Sequence, residues 1–160
     1  MDIAKRCLVV LLLLAGCVGC DQTTKSVAQS YLSQAETMSL LGDTVRLQLA
    51  FNSGAFLGLG ASLPEFWRQM LFNVCVGVLL LGLLGYALFS KRITPAGVLA
   101  TVLIVAGGIS NLADRLAYDG YVVDFINLGV GALRTGIFNI ADVFIVMGAL
   151  VVVASTAKKA

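Results

Sequence analysis

The sequence predicts an all-α membrane protein with four transmembrane helices. Hydrophobic residues make up 59% of the chain and charged residues only 12%, and the mean hydropathy is +0.94. Soluble domains carry about a quarter charged residues. Long apolar runs recur through the 160 residues, and most charges lie between them. The chain is therefore expected to fold as one membrane-embedded domain over residues 1–160, with no separate soluble domain.

Each predicted span is limited by the thickness of the bilayer. Lys5 and Lys25 are ~30 Å apart on a helix, which matches the hydrocarbon core. The apolar part of this segment is shorter, so Asp21 and Lys25 must lie at its outer end, on one helix face. Trp67 is typical of a membrane interface, and Pro95 suits a first helical turn. The four spans are predicted at residues 5–27, 67–89, 95–112 and 137–155, and the outer loops at 28–66 and 113–136.

Basic residue pairs predict the orientation. The pairs are Lys5-Arg6, Lys91-Arg92 and Lys158-Lys159. They flank alternate ends of the four spans, so all three lie on one side, which the positive-inside rule makes cytoplasmic. Both termini are then cytoplasmic, and both long loops are outside.

A small sheet is predicted in the outer loops. Residues 44–51 alternate partly between apolar and polar, as a half-buried strand does, after a turn at Gly42-Asp43. The later run Val122-Val123-Asp124-Phe125-Ile126 is also strand-like, with a carboxylate in an apolar setting. The sheet is expected to lie on the membrane surface.

Composition excludes several classes of protein. The net charge of +2 gives no support for nucleic acid binding, and the chain has no histidine. Catalytic triads with histidine and His-ligated zinc are therefore excluded. Cys17 and Cys20 have CxxC spacing, but they lie in an apolar helix and lack a second pair. We expect all four cysteines to be packing residues.

The N-terminus permits a second interpretation. Leu14-Ala15-Gly16-Cys17 resembles a lipoprotein processing site after a basic and apolar signal. The remainder is too hydrophobic for the soluble protein that usually follows such a signal. We expect an intact first helix, because it must remain to carry Asp21 into place.

Polar residues from distant segments are predicted to meet at the outer boundary of the membrane. Asn111 lies ~28 Å beyond Arg92, and Asp142 lies ~24 Å before Lys158. The residues at this level are Asp21, Lys25, Asn111, Arg115, Asn139 and Asp142. Helix capping and snorkelling are the simpler explanation for each of them. It fits Asp142 less well, because the predicted helix begins several residues earlier and a charge within a span is costly.

Asp124 and Asp142 are the residues for which a chemical role is predicted. Two aspartates near a membrane surface, without histidine or a cluster of metal ligands, are the minimum equipment of an aspartic protease. A small carrier or scaffold subunit, in which the same aspartates relay protons or bind a cation, is the alternative.

Five motifs together give a specific resemblance that covers almost the whole chain. They are DQTTK (21–25), FNSGAF (51–56), GGISNLADR (107–115), VVDF (122–125) and FNIAD (138–142). In this set and order they resemble signal peptidase II, the bacterial membrane aspartic peptidase that processes prolipoproteins. One departure is Phe56, which directly follows Ala55 where the family often has a second small residue. It affects the expected shape of the loop over the site.

The resemblance implies the remaining expectations. The four helices would carry a small periplasmic sheet and a short periplasmic helix over the site. Asp124 and Asp142 match the catalytic aspartates, and Asp21, Lys25, Asn52, Asn111, Arg115 and Asn139 match polar positions around them. The expected substrates are diacylglyceryl-modified prolipoproteins, reached through an apolar cleft open to membrane lipid. No cofactor or metal is implied, and a monomer in the bacterial inner membrane with a periplasmic site is expected.

Overall fold

Four helices and a small antiparallel sheet form the fold. The computed structural model describes residues 2–54, 60 and 62–157. The helices are α1 (Ile3–Tyr31), α2 (Glu65–Phe89), α3 (Pro95–Ala117) and α4 (Ile140–Ala157). The strands are β1 (Met38–Leu40), β2 (Val45–Asn52), β3 (Val122–Val130) and β4 (Leu133–Arg134).

Three of the helices are long and apolar enough to cross a membrane. These are α1, α2 and α3, whereas the apolar part of α4, Ile140–Ser155, is shorter. Large apolar side chains cover their outward faces, for example Leu11, Leu12 and Leu81, as lipid-facing surfaces require. The structure is therefore mostly helical with three to four candidate spans, and the exact number of spans remains a prediction.

The observed helices differ from the predicted spans at their ends. α1 continues four residues past residue 27, and α3 continues five residues past residue 112, so that Asp114 and Arg115 lie on a helix. α4 starts three residues later than predicted. Phe138 is extended there and forms an isolated bridge with Ile126, which keeps this segment out of the helix.

Close contact between α3 and α4 depends on glycine. A Cβ at Gly107 would collide with the carbonyl oxygen of Ala141, and one at Gly148 would lie 2.6 Å from the carbonyl oxygen of Ala100. α3 also packs against α1 and α2, so it is the central helix. Near the end opposite to the sheet, Val10, Ala87, Val98 and Val102 form the core shared by α1, α2 and α3.

The sheet joins the two outer loops in the order β1-β2-β3-β4. The strand predicted at residues 44–51 is confirmed as β2, which pairs with β3 and places Ala50 opposite Asp124 and Asn52 opposite Val122. The register shifts between Leu47 and Ala50. Diagonal neighbours on antiparallel strands lie within reach of side chains, so the amide of Asn52 reaches Asp124.

The short periplasmic helix expected over the site is not present as a separate element among the described loop residues. Ala55 and Phe56 lie outside the described residues, so the shape of the loop over the site stays a prediction.

The four cysteines were expected to be packing residues. They form no disulfide, but Cys7, Cys20 and Cys75 are exposed and Cys17 is partly buried. The expected packing role is therefore wrong for Cys7, Cys20 and Cys75, which lie on the outward faces of their helices.

Candidate active site

The structure brings all eight predicted site residues into one hydrogen-bonded network at the end of the helices beside the sheet. Asn52 is partly exposed, and the others are buried. Helices α1, α3 and α4 and strands β2 and β3 each contribute at least one residue. The predicted convergence of these residues is therefore observed, and the network divides into two clusters of carboxylates.

The first cluster, called the ion cluster below, consists of Asp21, Lys25, Ser110 and Asp114. Lys25 Nζ lies 2.7 Å from Asp21 Oδ2, which confirms that the two residues share one helix face, and 2.8 Å from Asp114 Oδ2. Asp114 is the partner that the sequence analysis missed. The available signal was spacing: Ser110 and Asp114 are four residues apart on α3, as Asp21 and Lys25 are on α1, so each pair shares one helix face.

Backbone and side-chain donors complete the ion cluster. Asp21 accepts hydrogen bonds from the Ser110 hydroxyl and from the Ala141 amide, both at 2.7 Å. Asp114 accepts from the amide of Gln22 at 2.7 Å and from the backbone of Val123 at 3.0 Å. The cluster thus connects α1 and α3 to the start of α4 and to β3.

The second cluster, called the dyad cluster below, contains Asp124, Asp142 and the amides of Asn52, Asn111 and Asn139. Asp124 lies on β3, and Asp142 lies in the first turn of α4. The span predicted from residue 137 places Asp142 in the second turn of its helix, which is wrong, because α4 begins only at Ile140. Asn139 caps this helix, since its side-chain oxygen accepts from the Asp142 amide at 2.9 Å.

The amide of Asn139 holds both aspartates. Its nitrogen donates to Asp124 Oδ1 at 2.7 Å, while its oxygen accepts from the backbone of Asp142. Asn52 donates to Asp124 Oδ2 at 3.0 Å. Asn111 donates to Asp142 Oδ1 at 3.0 Å. Both carboxylates are therefore held by neutral amides.

Lys25 connects the two clusters through Asn111. Lys25 Nζ donates to Asn111 Oδ1 at 2.9 Å, and Asn139 Nδ2 donates to the same oxygen at 3.0 Å. Two donors on this oxygen require the Asn111 nitrogen to point the other way, towards Asp142. The ion cluster thus fixes the orientation of one amide that contacts the dyad.

Arg115 binds backbone carbonyls around the site. Its Nη2 donates to Gly54 at 2.8 Å and its Nη1 to Asn111 at 3.3 Å. The guanidinium carbon lies 5.1 Å from the ring centre of Phe72, which belongs to a π-helical turn (Met70–Cys75) of α2. Both acceptors of the Arg115 side chain are therefore backbone carbonyls, one on α3 and one just after β2.

Burial favours a neutral form of Asp124. Burial and the negative charge of Asp142 together raise the pKa of this carboxyl group to about 7, although the hydrogen bonds from Asn52 and Asn139 lower it. Asp124 and Asp142 line one cavity with Asn52, Gly54, Asn111, Arg115 and Val122. The volume of this cavity is ≈ 10 Å³, which is enough for about one water molecule.

An apolar cleft adjoins this cavity at Asp142. It has a volume of ≈ 310 Å³ and is lined by Leu128, Thr135, Phe138, Asp142, Val143, Val146 and Met147. Asp142 is thus shared between a cavity of water size and a cleft suited to hydrocarbon. The expected apolar composition of a cleft beside the site agrees with this lining.

The fold is similar to that of solved structures. Two solved structures, both described as bacterial membrane enzyme structures, share the fold with TM-scores of 0.81 and 0.80 at 23% and 22% identity. The first match covers 94% of this chain and 88% of the solved chain. The second covers 95% of this chain and 94% of the solved chain.

Curated relatives give the closer sequence similarity. A lipoprotein signal peptidase of Treponema denticola is 38% identical over 130 residues, which is 79% of this chain and 75% of the relative. One of Syntrophus aciditrophicus is 31% identical over 157 residues, which is 97% of this chain and 96% of the relative. The family model of signal peptidase (SPase) II matches residues 13–158. The chain belongs to the signal peptidase II family.

Proposed function

We propose that this protein is a membrane aspartic endopeptidase that removes the signal peptide from diacylglyceryl-modified prolipoproteins. The observation that carries this proposal is the pair Asp124 and Asp142 on one water-sized cavity. In the described residues, their hydrogen bonds come from neutral amide groups and no cation forms an ion pair with either carboxylate. Such a pair can share one proton, because two buried like charges repel each other.

In the proposed mechanism, the two aspartates divide the acid and base roles. The ionised carboxylate takes a proton from the cavity water, whose oxygen attacks the carbonyl carbon before the lipidated cysteine. The protonated carboxyl group donates a hydrogen bond to the carbonyl oxygen, which gains negative charge. The tetrahedral intermediate then collapses, the C–N bond breaks, and a carboxyl proton passes to the leaving amine. One carboxyl group alone fills only one role at a time.

The apolar cleft supports a lipid-modified substrate. A segment that carries acyl chains brings hydrocarbon next to its scissile bond, and the cleft of ≈ 310 Å³ lies beside Asp142. Lipid tails are as apolar as the side chains of this cleft, so an acyl chain can move from the bilayer into it without a desolvation cost. Substrate binding at the cleft would place the scissile carbonyl over the neighbouring cavity.

The same proposal includes the membrane topology. α4 is shorter than the other helices, but it starts at the level of the dyad and has no extension beyond the membrane. We therefore assign it as the fourth span. With the basic pairs on the cytoplasmic side, both termini are cytoplasmic, and the site lies at the periplasmic side of the inner membrane. We also propose that the protein functions as a monomer and binds no nucleic acid.

Cleavage of a lipid-modified prolipoprotein tests the proposed function. The detergent-solubilised protein is compared with Asp124→Asn and Asp142→Asn, and with Asp119→Asn as a control, because Asp119 is exposed and outside the site. We expect a shorter product from the wild type and the control, and a loss of about 10³-fold or more in both dyad variants. A dyad variant that is properly inserted and cleaves at the wild-type rate would rule out the mechanism. Absence of any shorter product from the wild type would favour the carrier alternative.

A further inference from the structure

The end of the helices opposite to the dyad has a cleft of its own. It lies between the start of α1 and the end of α2, has a volume of ≈ 310 Å³, and is lined by Ile3, Arg6, Leu88, Phe89 and Lys91. Arg6 is 15 residues before Asp21 on α1, or ~22 Å along the helix axis. The cleft is therefore separate from the catalytic cavity, and an inference about it does not depend on the proposed function.

Two cations and apolar side chains meet in this cleft. Arg6 and Lys91 supply positive charge, while Ile3 and Phe89 are 55% and 68% exposed beside them. In the part of the chain that the structure describes, neither cation forms an ion pair. The positive charge of the cleft is thus not neutralised by a neighbouring carboxylate, although hydrocarbon-like surface is available next to it.

Arg6 is held in position by the end of α2. Its Nη1 donates to the carbonyl oxygens of Ser90 at 2.7 Å and Leu88 at 3.3 Å. Leu88 lies in the last turn of α2 and Ser90 directly after it, where carbonyls lack partners within the helix. Nη2 and Nε of Arg6 donate no hydrogen bond to any described residue. The guanidinium is therefore fixed before any ligand arrives, which lowers the entropic cost of binding.

The positive-inside rule alone does not explain this arrangement. The pairs Lys5-Arg6 and Lys91-Arg92 contribute one residue each to the cleft, Arg6 and Lys91. Lys5 and Arg92 are exposed and do not line it. General attraction to an anionic membrane requires positive charge at this end of the helices, but it does not require a cleft. A cleft that combines two cations with apolar walls therefore indicates a ligand with both a negative charge and an apolar part.

We propose that this cleft binds the headgroup of an anionic phospholipid in the leaflet opposite to the dyad. The phosphate would lie between Arg6 and Lys91, and the start of an acyl chain would lie against Ile3 and Phe89. Basic pockets between transmembrane helices bind anionic headgroups in this manner. The volume is in the range of small-ligand pockets. A zwitterionic headgroup brings a positive group to the same place and is disfavoured.

Charge reversal at two adjacent residues tests the proposal. Lys91→Glu changes a residue that lines the cleft, and Arg92→Glu makes the same change of charge beside it. Both side chains are exposed and form no hydrogen bond or ion pair in the described structure, so neither variant is expected to unfold the protein. Arg6 is left intact because it also caps α2.

Native mass spectrometry in detergent measures the lipid binding. The protein is titrated with phosphatidylglycerol, and with phosphatidylcholine of the same acyl chains. We expect preference for phosphatidylglycerol, and a dissociation constant raised at least about tenfold by Lys91→Glu but only about twofold by Arg92→Glu. Thermal unfolding of both variants in lipid-free detergent should match the wild type.

Three results would overturn the proposal. Equal weakening by both variants would show general membrane electrostatics without a site. Equal binding of phosphatidylcholine and phosphatidylglycerol would show that the headgroup charge is not recognised. Displacement of phosphatidylglycerol by soluble glycerol 3-phosphate at similar concentration would show a site for a free anion, with no contribution from the acyl chain.

Discussion

The ion cluster and the dyad cluster are both built from buried aspartates, but their partners differ. Asp21 and Asp114 share Lys25 at 2.7 and 2.8 Å and also accept several hydrogen bonds. Asp124 and Asp142 receive hydrogen bonds from neutral amides instead. A nearby cation keeps a carboxylate ionised, whereas burial without one favours the protonated form. The first arrangement suits structure, and the second suits proton transfer.

The two clusters are also coupled. Lys25 contacts Asn111, which contacts Asp142, so a lysine of the ion cluster helps to orient the dyad. The variants below separate the structural contribution of one cluster from the chemical contribution of the other. They are ordered from the largest expected effect to the smallest.

Removal of Lys25 should have the largest effect on stability. Lys25→Met leaves Asp21 and Asp114 buried without a cation, and loss of one partner from a buried ion pair costs about 3–5 kcal/mol. We expect low abundance in the membrane and a lower midpoint of thermal unfolding in detergent. Adding Asp21→Asn and Asp114→Asn to the same chain should recover part of the abundance, because no unpaired charge then remains. Normal abundance of Lys25→Met with abolished activity would contradict the structural role.

Asn139→Ser should reduce catalysis more than stability. Serine is a good residue at a helix N-cap, so α4 keeps its cap. Its side chain is too short to bridge the cap and Asp124, so the hydrogen bond of 2.7 Å to Asp124 is lost. Misplacement of a catalytic group lowers turnover by about 10²-fold. The measurement is turnover per folded molecule together with thermal unfolding. Unchanged turnover would show that Asn139 acts only as a cap.

Gly107→Ala should have a smaller effect, mainly on stability. The added methyl group collides with the carbonyl oxygen of Ala141, the residue before Asp142, so α3 and α4 must separate. Overpacking of this kind costs about 1–3 kcal/mol. Gly19→Ala is the matched control, because no atom lies within 4 Å of a Cβ built there. Thermal unfolding that is equally affected in both variants would show that the close contact is unimportant.

The sequence was informative about the elements and about which polar residues meet. Long apolar runs and basic pairs predicted the helices, and alternation predicted β2. Asp21 and Lys25 were recognised as a pair because their spacing on one helix is a local property. Asp142 was placed too far inside its helix, because nothing in residues 137–139 shows that Phe138 would pair with Ile126.

Contacts between helices were the part that the sequence did not determine. Asp114 lies in a recognised motif, but its ion pair with Lys25 depends on the rotation of α1 against α3. In helices that are apolar on nearly all faces, hydrophobic periodicity does not specify this rotation. The hydrogen bonds from the backbone of Val123 and Ala141 depend on the docked positions of β3 and α4, so the local sequence does not reveal them.

The pH dependence of cleavage tests the central claim, that Asp124 and Asp142 share one proton, most directly. Because the pKa of Asp124 is raised to about 7, the pair keeps its proton below this pH and loses it above. Activity should therefore fall as pH rises through about 7, and fall again at acidic pH when both groups are protonated. We predict a bell-shaped profile of kcat/KM, with apparent pKa values that belong to the pair. A rate that stays constant from about pH 5 to 9, a range that spans the expected titration near pH 7, would contradict proton sharing by the dyad.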